Sequence, residues 1–441
     1  MKKVLILAYD FPPYVSVGGL RPNNWYNNLK AFGYEPIVVT RQWENKHGNS
    51  LDYISASSST ECIKEYSEKG SILRTPYKPN FSNRLMLKYG FEKFKFARKI
   101  YSALLEILQF FVPVGPKKNI YHFANKFLEE NNVDFILATG EPFILFNYAN
   151  KLSQKHNIPW LADYRDPWSQ NDSRISFLPF KIFYPYIEKK IVSNASMLFT
   201  ASPFFKNQLK ELFPTKDITV IANGYNSKAL ENTETPSQEN TIFSIAYVGT
   251  IYKWHPVESF LTGYESFLQT TSTTKVKLNF YGVNSDYNLE KLIEEKYSSL
   301  KDTIVIHPKL ENKLLFKELS KNNTLLLFNY YSFIGTKIFD YLAVKRHILL
   351  CFSEDKDALK LKTKYYEYDE KYSENNHVQE DVILNTNSGT IVKDSKHLLK
   401  TLTKLYSEFE ESKQIKCNSD NTEQYSRKYQ TKKLATILDS L

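Results

Sequence analysis

Two short stretches narrow the choice of folds more than anything else in this chain. One is IPWLADYRDPWSQND, Ile158 to Asp172; the other is KVLILAYDFPPYVSVGGLRP, Lys3 to Pro22. In each, an apolar run breaks off into a loop crowded with Gly, Pro, Asp and Arg. An unbroken run of that length reads as a strand buried on both faces. Ligands of open parallel sheets bind where strands end, so two such ends in one domain mark a ligand site.

The runs belong to a longer alternation. Lys3–Ala8 is followed by helical spacing over Arg21–Phe32 (Trp25, Leu29, Phe32), a stop at Gly33 and a strand at Pro36–Thr40. That βαβ unit forces parallel pairing and a right-handed crossover. The pattern resumes with strand Phe135–Ala138, helix Phe143–Lys155, strand Pro159–Ala162, helix Pro185–Ala195, strand Met197–Thr200, helix Pro203–Leu212 and strand Ile218–Ile221. One Rossmann-like domain over 1–226 is expected. Residues 227–241 are polar and aperiodic, as a linker is. A second alternation starts at Phe243–Val248 and runs through Val276–Tyr281, Ile304–Ile306, Leu325–Asn329 and His347–Phe352, with helices between. This predicts a second Rossmann-like domain over 227–420. A helical insertion is expected over 84–128 and a final helix over Tyr425–Leu441, within 421–441.

The chain has 441 residues, too many for one core. Its net charge of +10 comes from 58 basic residues interspersed with 48 acidic ones, a composition that does not by itself require a polyanionic partner. No basic-aromatic module stands out, so nucleic acid is not expected as a partner. Cys62, Cys351 and Cys417 are far apart and form no Cys-x-x-Cys pair, which speaks against a disulfide framework or thiolate metal site. No signal peptide or membrane-spanning run is evident, so a cytoplasmic chain is expected, or one held peripherally at the inner face of the cell membrane. Peripheral contact would use 84–118, where Phe91, Phe94, Tyr101, Leu104, Leu105, Leu108 and Phe111 accompany Lys88, Lys93, Lys95, Arg98 and Lys99; the same pattern suits an ordinary helix packed on the sheet with a solvated outer face.

The chemistry-bearing residues cluster at predicted strand ends. Gly18, Gly19 and Arg21 precede the first helix, where glycines admit a ligand and the helix N-terminus favours negative charge. The G-x-G-x-x-G spacing is absent, which disfavours a dinucleotide fingerprint. Glu141 follows one strand; Asp163, Arg165 and Asp166 follow its neighbour. These can bind sugar hydroxyls, or brace their loop as an Asp–Arg pair. In the second domain Gly249, Thr250, Lys253 and His255 follow the first strand, Gly282 the second, and Lys309 and Leu310 a third. Ser332, Gly335, Thr336 and Lys337 lead into a helix whose amides and lysine suit a phosphate, with Asp340 one turn on for ribose hydroxyls. Lys309 and Leu310 offer backbone to a base. No metal-ligand cluster is visible.

These residues resemble a bacterial glycosyltransferase of GT-B architecture, like the large retaining family 4. LILAYDFPPYVSVGGLRP is similar to the family's opening strand and glycine loop. TGEPFILFNYANKLSQKHNIPWLADYRDPWS resembles the segment of a subgroup working on surface polysaccharides. VIANGYN looks like the hinge, AYVGTIYKWHP, NFYGV and GTKIFDYLAVKRHIL like the donor-domain loops, and YSRKYQTKKLATIL like a terminal helix that crosses back to the first domain. Two positions depart. The family's Glu-x7-Glu acids fall on Ser332 and Asp340, and its frequent Arg after the first donor-loop glycine is Thr250.

The resemblance implies two Rossmann-like domains facing across a cleft. The first would bind an acceptor through Gly18, Gly19, Arg21, Glu141, Asp163 and Arg165. The second would bind a nucleotide-diphosphate-sugar, as co-substrate with no other cofactor and no metal, through Gly249, Thr250, Gly282, Lys309, Leu310, Ser332, Gly335, Thr336 and Asp340. Lys337, Lys253 and Asp166 would act in transfer to a glycan or lipid-linked glycan, with retention. A nucleotide-sugar epimerase, or a non-catalytic sugar-nucleotide-binding scaffold of a polysaccharide assembly complex, would share the layout.

Overall fold

The computed structural model describes the chain except 45–50, 171–177, 227–236, 333, 367–369 and 373–376, and gives only the backbone of Leu178. Most of the expected linker, 227–236, and the end of the DYRDPWSQND loop therefore lie outside the described residues. The chain divides into two compact units: Met1–Asn223 with Gln430–Leu441, and Gly224–Tyr429.

Unit 1 is built on eight strands: β1 (Lys2–Leu7), β2 (Tyr34–Arg41), β3 (Ile63–Ser67), β4 (Gly70–Thr75), β5 (Phe135–Gly140), β6 (Trp160–Tyr164), β7 (Met197–Thr200) and β8 (Ile218–Val220). Their order is β3-β4-β2-β1-β5-β6-β7-β8, parallel throughout except for the β3–β4 pair. The central strands are sealed on both faces, as their unbroken apolar runs require: Leu5 and Leu7 join one core, Val4 and Ile6 the other. The β3–β4 hairpin was not legible beforehand. β3 (IKEYS) is an exposed edge strand, with no buried face to impose an apolar pattern.

Unit 2 has six parallel strands: β9 (Phe243–Val248), β10 (Val276–Tyr281), β11 (Ile304–His307), β12 (Thr324–Phe328), β13 (His347–Cys351) and β14 (Gly389–Val392). They are ordered β11-β10-β9-β12-β13-β14. The sequence alternation predicts strands only as far as β13. The final repeat runs through helices Lys356–Tyr365 and Val378–Thr386 to β14 and helix Ser395–Ser412, which packs on helix Val257–Thr271. β14 is four residues long, too short to announce itself by pattern.

Two expected elements are corrected. The insertion is three helices, Phe81–Tyr89, Lys95–Phe111 and Lys118–Glu130, broken where Gly90 and Gly115 take positive φ. The terminal helix starts at Arg427 and buries Gln430, Thr431, Leu434, Ala435 and Leu438, while Tyr429 is exposed. Leu434, Ala435 and Leu438 join the core formed by Val4, Ile6 and Leu137. Asn24 donates to Thr431 Oγ1 (3.1 Å) and Tyr34 to Asp439 Oδ1 (2.6 Å), fixing the helix to unit 1.

At the boundary, residues 224–226 run beside 425–427, with Tyr225 N bonded to Tyr425 O and Arg427 N to Tyr225 O. Gly224 sits there at φ +62°, and a Cβ would fall 2.7 Å from Tyr425 O. Gly33 also has positive φ (+88°) but nothing within 4 Å of a Cβ. Gly33→Ala should therefore cost only the conformational strain, about 1–2 kcal/mol, and Gly224→Ala clearly more. Urea unfolding of both variants reads the difference, and equal losses would discount the close approach.

Candidate functional site

In unit 1 polar residues gather at the carboxyl ends of β1, β2, β5 and β6. Ser16 donates from Oγ to Asp10 Oδ2 (2.7 Å) and accepts from Gly19 N (3.0 Å), capping helix Val17–Asn28. The helix thus begins earlier than expected and contains Gly18, Gly19 and Arg21 in its first turns. A Cβ on Gly18 would come 2.4 Å from Arg165 Nη1 and 2.8 Å from Asp10 Oδ2, so only glycine lets these two groups close over the helix start.

Arg21 and Asp163, expected to meet an acceptor, are both buried and meet each other instead. Arg21 Nε lies 3.1 Å from both carboxylate oxygens, Nη2 lies 2.6 Å from Oδ1, and Nη1 donates to Ile221 O. Thr139 Oγ1 adds a bond to Asp163 Oδ2 at 2.9 Å. With its charges matched inside the protein, this pair braces β6 against the first helix and the chain beyond β8. Both residues are corrected from acceptor contacts to a structural brace.

The polar groups nearer solvent are Arg165, Glu141 and Asp166. Arg165 Nε bonds Asp166 Oδ2 (2.9 Å) and its Nη2 lies 3.3 Å from Glu141 Oε2. Their loop is anchored by Trp168, whose ring stacks on Phe143 (5.1 Å) and Phe110 (5.4 Å), and by Ser169 N bonding Glu188 Oε2 (2.9 Å). Burial lifts the Glu188 carboxyl to about 7. Sequence reasoning passed over two members of this neighbourhood. Asp10 keeps a buried Oδ1 without a hydrogen-bond partner, and burial raises its pKa. Lys117, whose pKa burial lowers, points its ammonium at the Tyr9 ring, 5.6 Å away. Asp10 was recoverable as the first acid after β1; nothing local marked Lys117.

In unit 2 the expected residues converge on the end of β9. Gly249, at φ +79°, turns the chain so closely over Lys337 that a Cβ would lie 3.3 Å from Lys337 Cε. Lys337 Nζ donates to Tyr247 Oη (2.7 Å) and Thr250 O (2.9 Å) and sits 4.3 Å from the Tyr247 ring centroid. Partial burial lowers the pKa of this ammonium to about 7. His255 is buried alongside. Its Nδ1 lies 3.3 Å from both Tyr252 N and Tyr247 Oη, its Nε2 has no hydrogen-bond partner, and burial together with Lys337 keeps the ring neutral. Tyr252 stacks on Trp254 (4.5 Å, 14°) with Tyr330 against their edges, an aromatic floor the sequence did not disclose.

Other expected donor contacts are more scattered. Gly282, at φ +61°, lies against Lys309, whose Cα would be 3.2 Å from a Cβ; Leu310 follows. Lys253 is exposed. Gly335 lies against the Tyr330 ring, 3.4 Å from a Cβ. Thr336 precedes helix Lys337–Val344, but its side chain does not cap it. Ser332 is buried, its Oγ 2.9 Å from Tyr366 Oη, which in turn donates to Tyr330 O (2.6 Å). It is thereby corrected from a donor contact to part of the loop's internal bonding. Asp340 is raised to about 6 by burial, opposed by nearby Arg427, whose own pKa burial lowers. Among the described residues no group of three or more His, Cys, Asp or Glu is placed to hold a metal ion.

No protein-family model matches the sequence, and no curated protein does. Solved structures match its fold. Sucrose-phosphate synthase from Thermosynechococcus elongatus is 12% identical with a TM-score of 0.56, covering 100% of this chain and 99% of that one. A glycosyltransferase from Rickettsia africae ESF-5 is 14% identical, with a TM-score of 0.55 over 100% and 98%. Anabaena HepE in complex with UDP is 11% identical, with a TM-score of 0.56 over the whole of both chains. At such identities the likeness is one of fold: two units, each with a parallel sheet, as in GT-B glycosyltransferases.

The brace makes a stability prediction. Asp163→Ala strands a buried guanidinium and should cost about 3–5 kcal/mol. Arg21→Met combined with Asp163→Leu removes both charges and should cost less than the single change in urea unfolding. A double variant worse than the single one would mean that the pair's hydrogen bonds outweigh its desolvation.

Proposed function

We propose that this protein is a glycosyltransferase that moves a sugar from a nucleotide-diphosphate-sugar to a hydroxyl of a glycan or lipid-linked glycan. The observation that carries the reading is the Lys337 ammonium. It is half-buried beneath the Gly249–Thr250 turn, beside Tyr247, at the carboxyl end of a parallel sheet and in the first turn of a helix. Drawing a cation partly out of water with neutral oxygens as its bonded partners among the described residues is costly, and an anion arriving there recovers that cost. Amides at the helix start add to the attraction. A diphosphate fits this chemistry, because negative charge grows on it as the glycosidic bond breaks. A preorganised cation at that point is worth roughly 3 kcal/mol.

In this reading Tyr252 and Trp254 border the donor site, and Lys309 and Leu310 supply backbone to the base. Asp340 accepts from ribose hydroxyls, with Lys253 and Gly282 at the rim. Glu141, Arg165 and Asp166, with Asp10 beside them, receive the acceptor. We take transfer to proceed with retention, without a metal, and in surface polysaccharide assembly. The resemblance of TGEPFILFNYANKLSQKHNIPWLADYRDPWS supports that setting. Retention asks for no protein base, since a donor phosphate oxygen can take the acceptor's proton on the same face.

Two solved structures of similar fold are described with uridine nucleotides, HepE with UDP and an E. coli trehalose-6-phosphate protein with UDP-2-fluoro glucose, so UDP and UDP-sugars are the first probes. Thermal shift should show stabilisation by one nucleoside diphosphate over its monophosphate. Lys337→Ala should then lower turnover about 100-fold or more while leaving the fold intact by circular dichroism. Wild-type turnover in that variant, or no response to any nucleoside diphosphate, would overturn the reading.

The pH dependence has a definite sign. Free Lys337 titrates near 7, and a bound diphosphate favours its protonated form, so binding takes up a proton above pH 7. Affinity should weaken as pH rises from 7 to 9, by up to about tenfold per unit. Lys337→Arg, which cannot deprotonate in this range, should bind with a flat profile. Calorimetry in two buffers of different ionisation enthalpy measures the proton uptake directly; none would contradict the assignment.

A further inference from the structure

We infer that helix Lys95–Phe111 docks this protein on an anionic lipid bilayer through an apolar ridge it turns to solvent. A helix on a soluble domain normally faces its apolar stripe to the core. Here a second apolar stripe faces solvent. Phe96, Ile100, Leu104 and Leu108 recur every four residues and, with Phe111, line one face of the helix. They are 79, 46, 64, 48 and 57% exposed, respectively. The inward side holds Phe110 together with polar Arg98 and Gln109, all three buried, with Arg98 donating to Phe91 O and Gln109 to Glu106 Oε2.

The ridge is not alone. Phe91 and Phe94 just before it, and Val112 just after it, are exposed as well. Helix Leu178–Val192 packs beside its C-terminal end, with Phe183 against Phe111 and Tyr184 bonded to Glu106 (3.2 Å), and exposes Ile182 and Tyr186. An exposed apolar surface of this kind marks an interaction site.

Charge selects the occupant. Over 81–112 six basic residues, Arg84, Lys88, Lys93, Lys95, Arg98 and Lys99, face two acids, Glu92 and Glu106. The neighbouring helix adds exposed Lys181, Lys189 and Lys190. An apolar strip set among lysines matches the acyl and headgroup layers of an anionic membrane. A second copy of the chain would bring the same positive charge against itself. No described helix is long and apolar enough to cross a membrane, so docking is at the surface. The inner side of this helix carries Phe110, which stacks on Trp168, three residues beyond Arg165. Docking would therefore hold the Glu141–Arg165–Asp166 loop beside the bilayer. That consequence, unlike the docking itself, rests on the proposed acceptor role of the loop.

Vesicle flotation tests this with the full chain. The protein should float with phosphatidylcholine–phosphatidylglycerol vesicles and at least about tenfold less with phosphatidylcholine alone, with binding falling as salt rises. Leu104→Ser with Leu108→Ser should reduce binding at least about tenfold, as should Lys95→Glu with Lys99→Glu. Leu384→Ser, at an equally exposed position in unit 2, should change nothing. Circular dichroism and the thermal-shift response to UDP should be unchanged in all of them. Absence of flotation, or Leu104→Ser/Leu108→Ser binding like wild type, would overturn the inference. So would a wild-type dimer in sedimentation that the same substitutions disperse. Loss of nucleotide binding with flotation intact would instead count against the proposed function alone.

Discussion

A parallel sheet covered on both faces leaves polar side chains one place to gather, the rim where its strands end. Strands such as β1, β9 and β12 are mostly apolar along their buried lengths because helices flank both sides, and the one charge buried within β6, Asp163, is paired with Arg21. Polar chemistry is expelled to the loops at their carboxyl ends, where backbone amides and helix starts already favour anions. Asp10, Glu141 and Arg165 in one unit, and the Gly249–Thr250 turn and Lys337 in the other, stand where that constraint puts them.

The two units handle charge withdrawn from water in opposite ways. Arg21 and Asp163 are fully matched: every polar atom of the pair that the structure bonds finds a partner inside the protein, and the ion pair serves as a brace. Lys337 is bonded, among the described residues, by a phenol oxygen and a carbonyl with no carboxylate, and desolvation lowers its pKa. A satisfied buried pair has nothing left to offer a ligand, whereas an unsatisfied cation has. This contrast is why the site reading rests on Lys337 and not on the more numerous charges of unit 1.

Much of the architecture was legible along the chain. Strands Met197–Thr200, Phe243–Val248 and Val276–Tyr281 and helix Pro203–Leu212 coincide with their sequence patterns, because burial on one or both faces imposes apolar alternation, apolar runs or helical spacing. Elements without a buried face escaped notice, as with β3, or were too brief to show a period, as with β14. At the site, Gly249, Thr250 and Lys337 could be placed together because three strand ends of one sheet must converge. Ser332 could not be told from a ligand contact, since only the fold brings Tyr366 to its hydroxyl.

By itself the sequence determined the doubled βαβ alternation, the strand ends where ligands are met, and the residues that occupy them. These follow from period and burial, which are local properties of a chain. Only the tertiary structure decided which charges are spent on one another: Arg21 joins Asp163 across 142 positions, and Lys337 meets Tyr247 across 90. It also decided that helix Lys95–Phe111 leaves an apolar stripe facing outward, which no periodicity reveals, because amphipathic spacing says that a helix has faces and not which one the rest of the protein covers.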